Sequence, residues 1–388
     1  MVLTALGGSG EKGRVGFLLE GHGKKVILDY GIKRRLSGKK QDLYPLEAVG
    51  KVDALYLSHA HQDHTGAVPL LEFKNLLCSK PTLSLIKHYV STWFKTAKNY
   101  GLFIEEERYR KFLERDHKIS DMNFTEAITF EMGKSGHLVG STWVRIEWDG
   151  FSLLYTGDMT LDSPLNHFDQ PKKADILIVD VAYGTKILPP REGILNLLDS
   201  LKGNRIILPL PSVGRSQEIL YTLLQNKIVP VFVDEKILKG FKILKDYRDW
   251  LKVNPEIPQL NAKIPDKFTD GIYLTTDSMI TGGTSLRLYD YLKNDGKTYF
   301  VLTGHQEEGT PGWKMLRERN EKSLEFIWKV HPDFNDVLKI IDAVKPSYTI
   351  LFHANRETSL EVIKELKKIG IKSFILEKGN SLILEEII

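Results

Sequence analysis

The segment that most constrains this chain is Ser58–His64, with the sequence Ser-His-Ala-His-Gln-Asp-His. It follows an apolar run, so it begins where a buried strand ends, which is where α/β folds place their chemistry. In extended backbone His59 and His61 point to the same side and can bind one ion. Asp63 and His64 fall after a turn into a helix and can face a second ion. Nitrogen and oxygen ligands without sulfur predict Zn²⁺, with Mn²⁺ as the alternative.

Four further ligand candidates stand at the ends of apolar runs or in glycine-flanked turns. They are Asp29, His137, Asp158 and His353. Each alone has an ordinary structural interpretation, because an aspartate at a strand end usually caps a helix or forms a turn. Their occurrence together with Ser58–His64 favours one shared metal centre.

Short apolar runs alternate with amphipathic stretches along the chain, which is typical of an α/β protein. The pattern predicts strands at 15–20, 25–29, 54–58, 152–156, 175–180, 205–210, 231–233, 271–275, 297–303, 324–330 and 348–352. It predicts helices at 85–100, 105–114, 216–225, 335–344 and 359–369. Domain boundaries are indicated near 184–190, where two prolines follow a strand, and near 315–322, which is charged and loop-like.

Composition sets further limits. The formal net charge is only +4, so a basic groove for nucleic acid would have to come from local clustering. Cys78 is the single cysteine, which excludes an internal disulfide and a cysteine-based zinc ribbon and predicts a packed thiol. No apolar run approaches the ~20 residues of a membrane span, and the first residues lack the apolar core of a secretory signal. We therefore expect a cytoplasmic protein without a membrane segment.

The order of these motifs resembles a known series. His59-x-His61-x-Asp63-His64, then His137, then Asp158, is similar to the motifs of the metallo-β-lactamase superfamily. Later segments resemble its nucleic-acid-processing branch, the β-CASP nucleases: Ile178–Gly184, Val213–Glu218, Ser278–Gly283, Thr303–Thr310, Val330–Asp333 and Phe352–Asn355. The resemblance implies a four-layer αβ/βα sandwich built from residues 1–185 and 326–388. An α/β β-CASP domain, residues 186–325, would be inserted into it, with the active site in the cleft between the domains.

The resemblance also implies roles for the ligand candidates. Two zinc ions would be held by seven side chains: His59, His61 and His137 on one ion, Asp63, His64 and His353 on the other, and Asp158 on both. Asp29 would orient a ligand imidazole from behind. The two ions would activate a water for attack on phosphorus.

The resemblance implies further residues that act on substrate. Asp63, Asp180 and His331 are the expected catalytic residues, with His331 oriented by Asp180 to contact the scissile phosphate or protonate the leaving oxygen. A surface histidine is the alternative for His331. Arg215 and Ser216 open a helix that could bind a phosphate, or that is an ordinary helix start. His305 stands where the family has tyrosine, so a substrate contact or a structural role is expected for it.

By this resemblance the chain is a zinc-dependent ribonuclease of the RNase J and archaeal polyadenylation-factor type. It would cleave single-stranded RNA as a 5′→3′ exonuclease, an endonuclease or both. His353 favours RNA, because DNA-repair members commonly carry valine at that motif. The alternatives are a nuclease of single-stranded or 5′-end DNA and a non-catalytic RNA-binding scaffold. No KH-type domain or extra C-terminal domain is recognisable, so we expect a minimal catalytic unit whose grip on RNA comes from a partner or a homodimer.

Overall fold

The computed structural model describes residues 1–48, 50–122, 125, 127–256, 258–265, 267–318 and 321–386. The chain forms two compact units. The first comprises Met1–Asp162, Phe168–Ile187 and His331–Ile388, and the second comprises Ser163–His167 and Leu188–Val330. The second unit therefore starts and ends slightly later than the predicted 186–325. It also includes the unexpected stretch Ser163–His167, because Leu165 accepts from the Lys252 N–H at 2.8 Å and His167 donates to Trp250 at 2.9 Å.

Strands and helices alternate through most of the chain, as the hydrophobic pattern predicts. The described strands are β1 (Val2–Gly7), β2 (Gly16–Gly21), β3 (Lys24–Leu28), β4 (Val52–Tyr56), β5 (Phe73–Leu77), β6 (Ile128–Lys134), β7 (Thr142–Trp148), β8 (Phe151–Tyr155), β9 (Ile176–Asp180), β10 (Arg205–Pro209), β11 (Phe232–Val233), β12 (Gly271–Thr275), β13 (Thr298–Leu302), β14 (Ser323–Glu325), β15 (Tyr348–Phe352), β16 (Ser373–Phe374) and β17 (Ser381–Ile383). The described α-helices are α1 (Lys40–Leu43), α2 (Gln62–Thr65), α3 (Lys80–Asn99), α4 (Glu106–Glu114), α5 (Gly193–Ser200), α6 (Arg215–Gln225), α7 (Glu235–Asp246), α8 (Gly283–Leu292), α9 (Pro311–Arg317), α10 (Phe334–Val344) and α11 (Arg356–Lys368).

The first unit contains two mixed sheets. Their strand orders are β17-β1-β2-β3-β4-β5 and β16-β15-β9-β8-β7-β6. Strands β3, β4 and β5 pair in parallel in one sheet, and β8, β9, β15 and β16 do so in the other. The carboxyl ends of the parallel strands in each sheet therefore meet at one edge. Asp29 follows β3, His59 follows β4, Asp158 follows β8, Asp180 ends β9 and His353 follows β15.

The two sheets pack face to face, with helices on their outer faces. In β4, Tyr56 belongs to the core between the sheets, whereas Leu55 belongs to the core beneath α3 and α4. In β15, Phe352 faces the inter-sheet core and Leu351 the core beneath α10 and α11. Strands buried on both faces read as continuous apolar runs, and fully burying each such side chain contributes ~1.5–3 kcal/mol. The predicted four-layer αβ/βα sandwich is confirmed.

The second unit is an α/β domain around a parallel sheet of order β11-β12-β10-β13-β14. Its core includes Ile207, Tyr273 and Phe300, one from each of three neighbouring strands. The repeated helix–strand alternation after residue 191 predicts this parallel arrangement. Residues 315–317 lie in α9 rather than in the expected loop.

The strand predicted at 324–330 is wrong beyond Glu325, because β14 spans only Ser323–Glu325. After that point Trp328 is 0% exposed, whereas Phe326 and Ile327 are only partly buried. The Lys329 carbonyl accepts from the Arg191 guanidinium, with Nε at 3.0 Å and Nη2 at 2.6 Å. The apolar run thus indicates a partly buried segment but not its secondary structure.

Two predictions from composition can also be compared with the structure. Cys78 is buried and free, as expected, and burial raises the pKa of its thiol to about 12. Over the part of the chain that is described, no helix is both long and apolar enough to cross a membrane.

Candidate metal centre

Three imidazoles and one carboxylate form the first group of ligand atoms, contributed by His59, His61, His137 and Asp158. His61 Nδ1 lies 3.0 Å from His59 Nε2 and 3.2 Å from His137 Nε2. Asp158 Oδ2 lies 3.5 Å from the Nε2 atoms of both His59 and His137. Ligands ~2.0–2.1 Å from a tetrahedral zinc ion are ~3.3 Å from one another. The spacing of these four atoms therefore fits a single tetrahedral ion.

A second group combines Asp63, His64, Asp158 and His353. His64 Nε2 lies 3.1 Å from Asp158 Oδ1 and 3.9 Å from Asp63 Oδ2. His353 Nε2 lies 3.1 Å from Asp63 Oδ2, although the two residues are far apart in the sequence. Asp158 is common to both groups and faces them with different oxygens, as a carboxylate that bridges two ions would.

A third group joins Asp180 and His331 to Asp158 and His353. His331 Nδ1 lies 2.7 Å from Asp180 Oδ2 but 3.8 Å from Asp158 Oδ2. Since an ionised carboxylate only accepts, the Nδ1–H of His331 donates to Asp180. The side chain of His331 is 14% exposed, and Tyr183 packs edge-on against it with ring centroids 5.5 Å apart. His331 therefore lies beside the two ligand groups with one nitrogen already engaged.

Asp29 lies fully buried behind the centre and organises it. Its Oδ2 lies 2.7 Å from His64 Nδ1 and accepts from the hydroxyls of Ser58 and Tyr155, both at 2.6 Å. Its Oδ1 accepts from the Ser58 N–H at 2.7 Å. The Ser58 hydroxyl also lies 3.0 Å from His59 Nδ1. Asp29 and Ser58 thus turn the Nε2 atoms of two histidines toward the centre.

Ser58 and Tyr155 also belong to this site, although neither is among the ligand candidates that the motifs indicate. Ser58 directly precedes the first histidine, so its position was a usable indication. Tyr155 ends an apolar strand and reads as core in the sequence, and only the packing of the two sheets brings its hydroxyl to Asp29.

The backbone at the site adopts uncommon conformations and packs closely. Asp29 and His353 have φ angles of 56° and 67°, in the left-handed region that few non-glycine residues adopt. The backbone of Gly31 lies directly against Asp63, because a Cβ built on Gly31 would fall 1.6 Å from the Asp63 carbonyl oxygen. No residue with a side chain fits at position 31 without displacing the Asp63 segment.

Burial and neighbouring carboxylates shift the pKa values of the histidines in opposite directions. Burial lowers the pKa of His61 to about 4 and, together with the nearby His64, that of His59 well below its ordinary value. Burial also disfavours charge on His64, but Asp158, Asp29 and Asp63 outweigh it and raise its pKa. For His353 the opposing carboxylates, with Asp158 the largest, raise the pKa to about 9. The centre combines neutral imidazoles with a field that stabilises positive charge.

The residues present fit divalent metal ions. The donor set is imidazole nitrogen and carboxylate oxygen, which suits Zn²⁺ and also Mn²⁺. His64 Nε2 and Asp158 Oδ1 are buried without a hydrogen-bond partner, although they lie only 3.1 Å apart. Buried polar atoms are rarely left unsatisfied unless something else binds them. Four carboxylates surround the centre, which balances the charge of two dications: Asp29, Asp63, Asp158 and Asp180.

The three predicted substrate-contacting residues outside the centre belong to the second unit. Arg215 donates from Nε to Thr303 Oγ1 at 3.1 Å, and its guanidinium lies over the backbone of Gly304. Ser216 is 0% exposed and donates its hydroxyl to Gln217 Oε1 at 3.1 Å. The Ser216 side chain is thus engaged within the helix start. His305 is exposed and lies 3.4 Å from Glu307.

Comparison with known proteins agrees with this geometry. A sequence profile of the "Beta-lactamase superfamily domain" matches residues 12–210, just over half of the chain. The "RNase J-like protein" of Methanocaldococcus jannaschii is 29% identical over 85% of this chain and 88% of that protein. The "Cleavage and polyadenylation specificity factor 73" of Drosophila melanogaster is 27% identical over 91% of this chain and 60% of that protein. The "Endoribonuclease YSH1" of Saccharomyces cerevisiae is 26% identical over 97% of this chain and 57% of that protein.

The chain thus spans about three fifths of the length of these two eukaryotic relatives. Among solved structures, a protein of unknown function from Enterococcus faecalis V583 aligns with this protein at a TM-score of 0.64. The alignment covers 99% of each chain. Its sequence identity is 15%, so this likeness shows the fold alone. The profile match and the relatives, each aligned over most of this chain, establish what the motif order predicts: the chain belongs to the metallo-β-lactamase superfamily, in the β-CASP family of hydrolytic nucleases.

Proposed function

We propose that this protein hydrolyses phosphodiester bonds of single-stranded RNA with two zinc ions, with manganese as the alternative metal. The observation that carries the proposal is the single cluster of seven ligand side chains next to the His331–Asp180 pair. Seven ligands exceed what one tetrahedral site can use. A catalytically dead relative would be expected to have lost some of them.

Two sets of residues would hold the ions. His59, His61 and His137 would bind the first, and Asp63, His64 and His353 the second. Asp158 would bind both, since its two oxygens face different groups. When bound, such ions supply Lewis acidity that activates water as a nucleophile and offsets negative charge on the phosphoryl oxygens.

The chain's own residues then orient substrate and move protons. Asp180 holds His331 through Nδ1 and is itself fixed by the Ala182 N–H at 2.9 Å. The other nitrogen of His331, Nε2, can donate to the scissile phosphate or to the leaving oxygen. Asp63 has a side chain that is 29% exposed, whereas Asp158 is 2% exposed. Substrate would therefore reach the centre on the side of Asp63.

Relatives support RNA as the polymer. Their names describe an RNase J-like protein, a cleavage and polyadenylation factor and an endoribonuclease. For this chain the choice of RNA, the cleavage mode and a site of action in the cytoplasm are parts of the proposal. Arg215, the Ser216 backbone N–H and His305 are proposed to contact the RNA.

The test uses 5′-labelled single-stranded RNA and DNA of the same sequence, incubated with metal-loaded protein. We expect the RNA to be cleaved and the DNA to be cleaved much more slowly. Release of labelled mononucleotide would indicate a 5′→3′ exonuclease, and internal labelled fragments an endonuclease. Asp158→Ala serves as the inactive control. Faster cleavage of the DNA would replace the proposed substrate, and cleavage of neither polymer would contradict the proposal.

A further inference from the structure

One surface segment carries an unusual excess of positive charge. Residues 31–43 contain five cations, Lys33, Arg34, Arg35, Lys39 and Lys40, against the single acid Asp42. This net charge of +4 equals the formal net charge of the whole chain, so the remaining residues are neutral in sum. The family assignment and the metal centre do not account for these side chains.

Backbone hydrogen bonds place this segment beside the metal centre. The Ile32 N–H donates to the Gln62 carbonyl at 3.0 Å, and the Val15 N–H donates to the Asp63 carbonyl at 2.8 Å. Gly31 lies directly against the backbone of Asp63. Since consecutive Cα atoms are ~3.8 Å apart, the Lys33 Cα lies within ~8 Å of the Gly31 Cα. The cations therefore begin next to Asp63, the ligand that is 29% exposed.

A partly buried carboxylate pairs with two cations of this region. Glu11 accepts from Arg14 at 2.6 and 2.7 Å and also from Lys33 at 3.1 Å, so one carboxylate serves two cations. Lys378 donates to the Gln41 carbonyl at 3.2 Å. Burial, followed by the proximity of Arg14, lowers the pKa of Lys378. Glu11 and Asp42 oppose this shift, but burial and the neighbouring cations Arg14 and Lys33 outweigh them.

An aromatic ring adjoins the same segment. Phe103 is 37% exposed, and the Lys40 ammonium lies 4.9 Å from its ring centroid. Tyr44 fixes this residue by donating its hydroxyl to the Phe103 carbonyl at 3.0 Å and by packing edge-on against its ring. Lys40 itself pairs with Glu47 and Glu105. The Phe103 ring would be available to stack on a base of an RNA strand that passes this segment.

We propose that Lys33, Arg34, Arg35, Lys39 and Lys378 form a basic rim that binds the phosphate backbone of single-stranded RNA beside the scissile bond. The inference rests on the proposed function, because the rim would bind the RNA that this reaction cleaves. Lysine and arginine contacts to phosphate carry no sequence information. The rim therefore binds different base sequences alike, and it supplies affinity rather than chemistry.

The experiment compares the wild-type protein with the triple variant Arg34→Gln/Arg35→Gln/Lys39→Gln, both loaded with metal. These residues lie in a surface loop, and a thermal melt checks that the variant folds. Affinity for a fluorescent phosphorothioate single-stranded RNA, which resists cleavage, is measured by anisotropy over a range of salt concentrations. Each lost contact should reduce the slope of log affinity against log salt by ~0.7, so the slope should fall by ~2. At ~0.1 M salt, binding should weaken by ~10–100-fold.

Two controls isolate the rim. Lys364→Gln/Lys367→Gln/Lys368→Gln removes the same charge from the exposed face of α11 and should retain wild-type affinity. Arg34→Lys/Arg35→Lys keeps the charge and should retain most of the slope. If the rim variant binds RNA like the wild type, or if the α11 variant weakens binding equally, the rim assignment is wrong. Cleavage of RNA by the wild-type protein is assayed separately, so its failure would reject the proposed function without being confused with the rim result.

Discussion

His331 and Asp180 are joined by a hydrogen bond of 2.7 Å between Nδ1 and a carboxylate oxygen, at the edge of the ligand cluster. The neighbouring imidazole, His353, differs from His331 although their ring centroids are only 4.9 Å apart. Its Nε2 lies 3.1 Å from Asp63 within the second ligand group. In the proposed function these two neighbouring histidines have different tasks, one acting on substrate and the other on metal.

This difference predicts that substitution of His331 and substitution of His353 have different effects. His331→Ala should lower turnover by ~10²–10⁴-fold, the usual range for losing a general acid, and should leave bound metal near the wild-type level. His353→Ala should lose metal along with turnover, because it removes a ligand. Bound metal and turnover are measured on the same two preparations.

A substrate with a better leaving group provides the control for His331. A p-nitrophenyl phosphodiester needs less protonation of its leaving oxygen, so His331→Ala should impair its hydrolysis less than that of RNA. Loss of metal in His331→Ala with retention in His353→Ala would reverse the two assignments. A fully active His331→Ala would make His331 an ordinary surface histidine.

Asp29 should control metal affinity without touching the metal. Asp29→Asn removes the charge that holds His64 and one of the acceptors for Ser58 and Tyr155. Loss of such an outer partner typically lowers metal affinity by ~10–100-fold, which competition with a chelator measures. Asp149→Asn, which breaks only an exposed pair with His22, is the matched control. Equal metal affinity in both variants would show that Asp29 does not hold the centre.

Gly31 should be intolerant of a methyl group. Gly31→Ala places a Cβ against the Asp63 carbonyl, so the backbone must shift, at a cost of ~1–3 kcal/mol in the free energy of unfolding. The thermal midpoint should fall, and metal binding should weaken because Asp63 moves. Gly296→Ala, whose Cβ would meet nothing within 4 Å, should change the midpoint little. A stable, metal-replete Gly31→Ala protein would contradict the packing described for this segment.

Cys78 should be unreactive in the native protein. Burial favours the neutral thiol and raises its pKa to about 12, so at pH 8 almost no thiolate is present. Iodoacetamide should modify the native protein very slowly and the urea-unfolded protein stoichiometrically, as mass spectrometry would detect. Rapid modification of the native protein would show that the thiol is exposed.

Hydrophobic pattern alone predicted much of the fold. The strands Tyr348–Phe352 and Gly271–Thr275 were predicted with their observed limits, because both are short apolar runs with clear ends. By contrast, β1, β6 and β7 were not predicted. Thr142–Trp148 pairs with β6 and β8, and part of it is not fully buried. It therefore mixes charged and apolar residues, and no continuous apolar run indicates a strand there. The strand predicted at 324–330 is shorter than expected, because after Glu325 the segment makes only isolated backbone hydrogen bonds, from Phe326 and Trp328.

Some residues of the site could likewise be predicted from the sequence, and others could not. Local spacing indicated His59, His61, Asp63 and His64, since they share one turn after a strand. The contact of His353 with Asp63 depends on the parallel pairing of β15 with β9, and the motif order suggested it only through resemblance. The role of Tyr155 could not be read from spacing, because its hydroxyl meets Asp29 only when the strands β3 and β8 are in place.

The most direct test of RNA hydrolysis with two metal ions is the metal content of the purified protein, measured together with its RNA cleavage. Protein prepared without chelator should contain about two equivalents of zinc per chain by elemental analysis, since seven ligands are available. Removing the metal should abolish cleavage of single-stranded RNA, and adding Zn²⁺ or Mn²⁺ should restore it. Asp158→Ala should lack both metal and cleavage. Metal content reproducibly near zero, with no cleavage restored by either ion, would contradict the proposed two-metal hydrolysis of RNA.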